Sequence, residues 1–259
     1  MRGRANAQPF SARPQDLPVK ADLARLRVEY GKDERLAFLG HLEVLSTVER
    51  SIRRARLPFS IGNGFARRMR IQFSQALPVG ASSACEYFDL RLTERVNPQE
   101  ALDALRASTP RGLAPARAAY VPGRLPALEA WLDRSTWELE VRGASWGADD
   151  IAAAIGEVVR RGSLTYLRGE KAKTVDVASS LVGFSAFDGG GFIGLTLETR
   201  LTGGNALRPQ VLLDAALGLS GMPRYDSVRV RRTLQAHEED GRLVEPFCDS
   251  DAIATSSLF

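Results

Sequence analysis

The sequence predicts an α+β fold, on three observations. Short segments alternate apolar and polar residues, as half-buried strands do, and they are interleaved with stretches of helical period. The order strand, helix, strand, strand, helix, strand is met twice, at an offset near 110 residues. The second helix of each set opens on a shared motif: Pro98-Gln99-Glu100-Ala101-Leu102-Asp103-Ala104 matches Pro209-Gln210-Val211-Leu212-Leu213-Asp214-Ala215 at five of seven positions. Together these predict tandem ferredoxin-like (βαββαβ) halves with antiparallel sheets, the two helices of each half on one face.

Residues 1–22 hold Pro9, Pro14 and Pro18 among small polar residues without a period, and read as a disordered leader. The first half is expected over 23–122. Leu26, Val28 and Tyr30 alternate with Arg27 and Glu29 as its first strand. A helix follows from near Leu39 to the Leu57-Pro58 step, because the residue before a proline is pushed out of helical geometry. At ~100° per residue, His41, Val44, Leu45, Val48, Ile52 and Ala55 fall on one side of it and Glu43, Ser46, Thr47, Arg50, Arg53 and Arg54 on the other. Short strands at 58–61 and 70–74 flank a glycine loop, Gly62-Asn63-Gly64-Phe65, and Leu77-Pro78-Val79-Gly80 turns the chain. Phe88, Leu90 and Leu92 mark the next strand, Asn97 caps a helix opened by Pro98 and ending near Ser108, and a strand at 113–121 closes the half.

Residues 123–134 read as a linker and 135–237 as the second half. Trp137, Leu139 and Val141 alternate as a strand, 148–160 suits a helix, and 163–168 and 173–187 suit strands. Ile193, Leu195, Leu197 and Leu201 mark another strand, Pro209 starts a helix, and Val228, Val230 and Leu234 end the fold. Residues 238–259, with Glu239, Asp240 and Asp251, read as a polar tail that the core does not need.

Apolar residues make up 44% of the chain, yet no run approaches the ~18 consecutive apolar residues of a membrane span. The N-terminus lacks the apolar core of a secretory signal, so a cytoplasmic protein is expected. Cys85 and Cys248 stand alone, too few for a disulfide framework or a cysteine-ligated metal site. No cofactor and no metal are expected in this chain, and any metal chemistry would belong to a partner.

The chemistry concentrates between Arg50 and Cys85. Seven arginines, Arg50, Arg53, Arg54, Arg56, Arg67, Arg68 and Arg70, stand there without one acid. Arginine pairs phosphates bidentately and stacks on bases, so the segment is a candidate RNA or phosphate site. Gly62, Asn63, Gly64 and Phe65 are counted with the arginines in that RNA- or phosphate-binding set; the three loop residues match no nucleotide-binding fingerprint, and a tight turn is their alternative reading. Phe65 either stacks on a base or anchors the loop, and an aromatic beside cations is what single strands bind. His41 reads first as a helix-start histidine packed beneath a sheet, and second as a general base or phosphate ligand. Trp131, Trp137 and Trp146 are expected in the core or in a contact between the halves.

Several of these motifs carry a resemblance: Leu36-Ala37-Phe38-Leu39-Gly40-His41-Leu42-Glu43, Arg53-Arg54-Ala55-Arg56-Leu57-Pro58, Gly62 to Phe65, and Leu77 to Gly80. Over residues 25 to about 236 the chain resembles an uncharacterised bacterial family of radical-SAM-linked proteins, encoded beside or fused to a B12-binding-type radical SAM protein. In that family the Gly-Phe pair is followed by Asn-Pro-His-Pro-Arg, whereas Ala66-Arg67-Arg68-Met69-Arg70 stands here, which leaves His41 as the one histidine of the region. The resemblance implies association with a radical SAM partner. Joined to the arginine segment, it gives a non-catalytic RNA-binding accessory protein that presents a substrate, with tRNA and rRNA as the classes considered. A metal-independent ribonuclease using His41 and a structural adaptor whose arginines meet an acidic protein are the alternatives.

Overall fold

The computed structural model describes residues 23–62, 65–203 and 206–247. The leader, Asn63, Gly64 and the end of the tail, Asp251 included, lie outside them. The α+β class holds: among the described residues six helices pack on a nine-stranded, mostly antiparallel sheet.

The first part of the chain forms β1 (Ala24–Lys32), α1 (His41–Arg54), β2 (Ile71–Phe73), β3 (Ala81–Leu92), α2 (Pro98–Ser108) and β4 (Pro115–Val121). A short helix, α3 (Leu128–Trp131), leads to β5 (Arg134–Arg142) and α4 (Ala148–Arg161). Next come β6 (Ser163–Arg168), β7 (Lys171–Asp176), α5 (Val177–Ser180), β8 (Leu181–Asp188) and β9 (Ile193–Arg200). The chain ends in α6 (Pro209–Ser220), β10 (Ser227–Glu239) and β11 (Arg242–Val244). Local chemistry sets the boundaries. Asn97 accepts from the amides of Gln99 and Glu100 at the start of α2, and Glu43 returns a carboxylate to the Gly40 amide at 2.7 Å, which starts α1 at His41 rather than Leu39. Arg56 adopts φ +54° and closes α1 before Pro58 is reached. The single strand expected over 173–187 is broken by α5, where Asp176 accepts from the Ser179 amide at 3.1 Å and caps a helical turn.

The strands run β4-β1-β3-β10-β5-β9-β8, with β2 also on β3 and β11 on β10, while β6 and β7 form a separate hairpin. Instead of one sheet per half there is one continuous sheet. Its halves join where Ala81, Ser82 and Ser83 of β3 pair in parallel with Val230, Arg231 and Arg232 of β10. Both strands would otherwise leave a row of backbone donors and acceptors bare, and the seam satisfies them.

Two apolar clusters lie under the helices. Leu26, Val28, Phe88 and Leu90 pack against Val48 and Ile52 of α1 and Leu105 of α2; Leu139, Val141, Leu195 and Leu197 pack against Ile151 and Ile155 of α4 and Leu212 and Leu213 of α6. Each such side chain contributes about 1.5–3 kcal/mol by its burial. Trp137 and Trp146 belong to the second cluster.

The alternate residues of β1 and β3 face the other side, where Arg25, Arg27, Asp89 and Arg91 are all buried. Asp89 accepts from Arg25 Nε at 2.7 Å and Arg27 Nε at 2.8 Å. The remaining guanidinium protons need oxygen partners, and the segment read as a linker supplies them: Leu125 and Pro126 carbonyls take Arg25, and the Gly123 carbonyl takes Arg91. Leu128, Trp131 and Leu132 are buried there with Cys85 and Tyr87, so 123–134 is a strap packed on the sheet. The described part of the tail joins it. The Pro246 carbonyl accepts from Arg27, Phe247 packs on Tyr87, and Glu238 accepts from Arg134 and Arg200 at 2.6 Å each. Among the described residues no helix is long and apolar enough to cross a membrane.

Candidate nucleic-acid interface

Burial of Val44, Val48 and Ile52 turns the opposite side of α1 outward, and Arg50, Arg53 and Arg54 are exposed on it. They sit at the C-terminal end, where the helix dipole favours cations, so their position is already stabilised in the free protein. The expected row of unpaired arginines is interrupted at Arg53, whose Nη1 lies 3.5 Å from Glu49 one turn back and whose guanidinium carbon lies 5.8 Å from the Phe59 ring. Arg50 donates to Thr47 Oγ1 at 3.1 Å. An exposed pair such as Arg53 with Glu49 contributes about 0–1 kcal/mol, which leaves Arg53 able to exchange partners.

After α1 the chain forms a narrow arm. Its base is fixed on β3: the Ser60 amide donates to the Arg91 carbonyl, the Arg91 amide to Arg70, and the Thr93 amide to Pro58. Ile61 bridges Met69, and the Gly62 amide donates to the Arg68 carbonyl at 2.8 Å. Met69 is buried and pins the returning limb. At the tip Phe65 is fully exposed, and Arg67 and Arg68 are exposed beside it. Phe65 therefore does not anchor the loop. Arg70, at the base, is half-buried. Gly62 is held in the hairpin, and Arg56 and Arg67 adopt the left-handed backbone, at φ +54° and +42°. For a residue with a side chain this costs roughly 1–2 kcal/mol. Two positions where glycine would be cheaper thus carry cations.

His41 is elsewhere. It is the first residue of α1, while the arginines begin nine residues later, roughly 14–20 Å along the axis at about 1.5 Å per residue. His41 and the arginine face of α1 are therefore two separate places. His41 is half-buried, with its ring edge-on to Phe73 at 6.1 Å. It lines a small cavity with Tyr30, Lys32, Ser74 and Glu86, of about 10 Å³, enough for one water and far too small for a nucleotide. Burial lowers the His41 pKa, partly offset by the carboxylates of Glu86 and Glu129. Burial likewise lowers that of Lys32, offset by Glu86 and Glu43, and holds the Tyr30 phenol protonated. Lys32 Nζ is committed to the carbonyls of Ala37 and Leu39 at 2.9 Å each, and Glu86 to Arg232. These acid–base neighbours were not legible in the sequence because β1 and β3 bring them from distant positions. Cys85 is buried beside them and its thiol is pushed up to about 12. Among the described residues no group of three or more His, Cys, Asp or Glu is placed to hold a metal ion.

Residues 25–209 match the family described as "Uncharacterized protein conserved in bacteria (DUF2344)". No curated protein matches the chain. Among solved structures, the "Crystal Structure of a Cbf5-Nop10-Gar1 Complex" aligns with a TM-score of 0.44 and 12% identity, over 98% of this chain and 62% of that one, so this chain spans less than two thirds of its length. The "Crystal Structure of an Unknown Protein from Galdieria sulphuraria" aligns with a TM-score of 0.24 and 10% identity, over 82% of this chain and 99% of that one. Scores this low bear on neither fold nor function.

Proposed function

The chain belongs to this DUF2344 family of uncharacterised bacterial proteins, and on that premise we propose that it is a non-catalytic, cytoplasmic RNA-binding accessory protein that presents a substrate to a radical SAM partner. One observation carries the binding half of the reading: a fully exposed Phe65 at the tip of an arm, flanked by Arg67 and Arg68 and rooted beside the arginine face of α1. An aromatic platform with guanidinium groups around it suits a single-stranded segment of tRNA or rRNA, the ring taking a base and the arginines the phosphates. The strand orders β4-β1-β3-β2 and β10-β5-β9-β8 support two ferredoxin-like halves as the scaffold. The partner half rests on the family resemblance and on chemistry. Radical SAM enzymes hold their cluster on three cysteines and this chain has two, so the initiating chemistry falls to the partner.

The test is a salt titration of RNA binding. Several phosphate contacts make log affinity fall with log salt at about 0.7 per contact for single strands, and Arg53→Glu with Arg68→Glu flattens that slope. Equal affinity and slope in wild type and variant would reject the arginine surface. Sedimentation with the radical SAM protein added then gives a complex of about micromolar affinity, near 8 kcal/mol. If none forms, with or without RNA, the accessory role falls and RNA binding stands alone.

A further inference from the structure

A second recess opens between the halves, a cleft of about 670 Å³ lined by the loop at 75–78, the strap, β5, β6, β7, β10 and the residues ahead of α6. That is within the range of sites for small organic ligands. Its floor is rigid. Arg232 is held by Glu86 and by the Gln75 carbonyl at 3.0 Å, with its guanidinium carbon 5.0 Å above the Trp137 ring. Trp137 in turn donates to Thr199 Oγ1 at 3.0 Å, and Gln75 Nε2 ties the loop to the Leu132 carbonyl at 2.8 Å. These contacts fix the shape of the recess.

The rim is different. Tyr166 and Lys173 are directly opposed on the β6–β7 hairpin, and both line the cleft, as does Arg208 just before α6. Neither Lys173 nor Arg208 is in an ion pair among the described residues, and Glu129, on the exposed side of the strap, is the one acid among the lining residues. A half-buried phenol ring and two unengaged cations around a preformed recess match a planar group joined to an anion.

We propose that the cleft receives one nucleotide, its base against Tyr166 and its phosphate between Lys173 and Arg208. The source is either a free nucleotide or one nucleotide of a bound RNA, and only the second rests on the RNA reading above.

The experiment is titration of the full chain with a nucleoside 5′-monophosphate, the matching nucleoside, inorganic phosphate and a short single-stranded RNA, followed by calorimetry and tryptophan fluorescence. Wild type binds the monophosphate more tightly than the nucleoside or phosphate. Lys173→Glu and Tyr166→Ala each raise its Kd about tenfold, and Tyr166→Phe, which keeps the ring and guards against misfolding, leaves it near wild type. If free nucleotides do not saturate but RNA binding weakens about tenfold in Lys173→Glu with the α1 arginines intact, the nucleotide comes from RNA. If the monophosphate binds and RNA does not, the cleft stands and the RNA reading falls. Unchanged affinity for both ligands in Lys173→Glu and Tyr166→Ala overturns the proposal.

Discussion

Arg232 and Glu86 lie 146 residues apart and share three hydrogen bonds, from Nε at 2.9 Å and from Nη2 to the two carboxylate oxygens at 2.7 and 2.8 Å. Both are buried, one on each side of the parallel seam. Three backbone pairs join β3 to β10, so this ion pair is the main side-chain lock on the register between the halves.

Removing one partner of such a pair strands a buried charge, so Arg232→Ala loses about 3–5 kcal/mol in urea unfolding, while Arg232→Met combined with Glu86→Leu recovers most of it. A loss under about 1 kcal/mol for Arg232→Ala would show that the lock is not where the geometry puts it.

Phe65→Ala leaves unfolding stability within about 0.5 kcal/mol, because the ring is fully exposed. RNA affinity falls by about 1–3 kcal/mol if the ring is a stacking platform. Fluorescence anisotropy and urea melts on the same preparation separate the two effects, and unchanged RNA affinity removes the platform.

Burial disfavours the His41 cation, so the expected result of an NMR titration is a midpoint below the usual 6.5. The sign follows: folding is free of this penalty above pH 6.5, and stability falls as pH drops below it, a slope that His41→Gln removes. The expected outcome with labelled RNA is no cleavage by either wild type or His41→Ala. Metal-independent cleavage that disappears in His41→Ala, by the factor of about 10² to 10⁴ expected of a general base, would make the chain a ribonuclease.

Glu238 responds in a separate window. Hydrogen bonds from Arg134 and Arg200 hold its carboxyl below the usual 4.5. A carboxylate depressed in the fold contributes stability that is complete above 4.5 and is lost as pH falls through its lower folded value. Urea midpoints measured below pH 4.5 decline less steeply for Glu238→Gln than for wild type; parallel declines would mean that the two arginines do not depend on this charge.

What the sequence made legible is whatever is set within a few residues. The alternation of Leu26, Val28 and Tyr30, the Asn97-Pro98 start of α2 and the two faces of α1 each follow from a local period or cap, and all stand in the fold. The outward placement of Arg50, Arg53 and Arg54 followed in the same way. Partnership across the chain was not legible. Nothing near Ala81 or Val230 distinguishes a strand that will pair in parallel from one left at an edge. Arg25, Arg27 and Asp89 alternate with apolar residues as solvent-facing positions do, and the strap and the start of the tail bury them. The strap was hidden by Pro122 and Pro126, which mark a turn without saying what the turn covers. His41 lost its apparent neighbours because an intact helix holds its two ends apart.

The seam also sets an order on biosynthesis. β10 forms the middle of the sheet, between β3 and β5, yet it is synthesised after every other strand in the row β4-β1-β3-β10-β5-β9-β8. Until it emerges, the Ala81–Ser83 edge has no partner, the Glu86 carboxylate lacks Arg232, and β5 shows a bare flank of its own. Both halves must wait as open-edged intermediates, the kind of species that associates wrongly with its neighbours. A nascent chain that stops short of Ser227 loses the strand that makes the two halves one body, and what remains is two exposed edges in search of any strand.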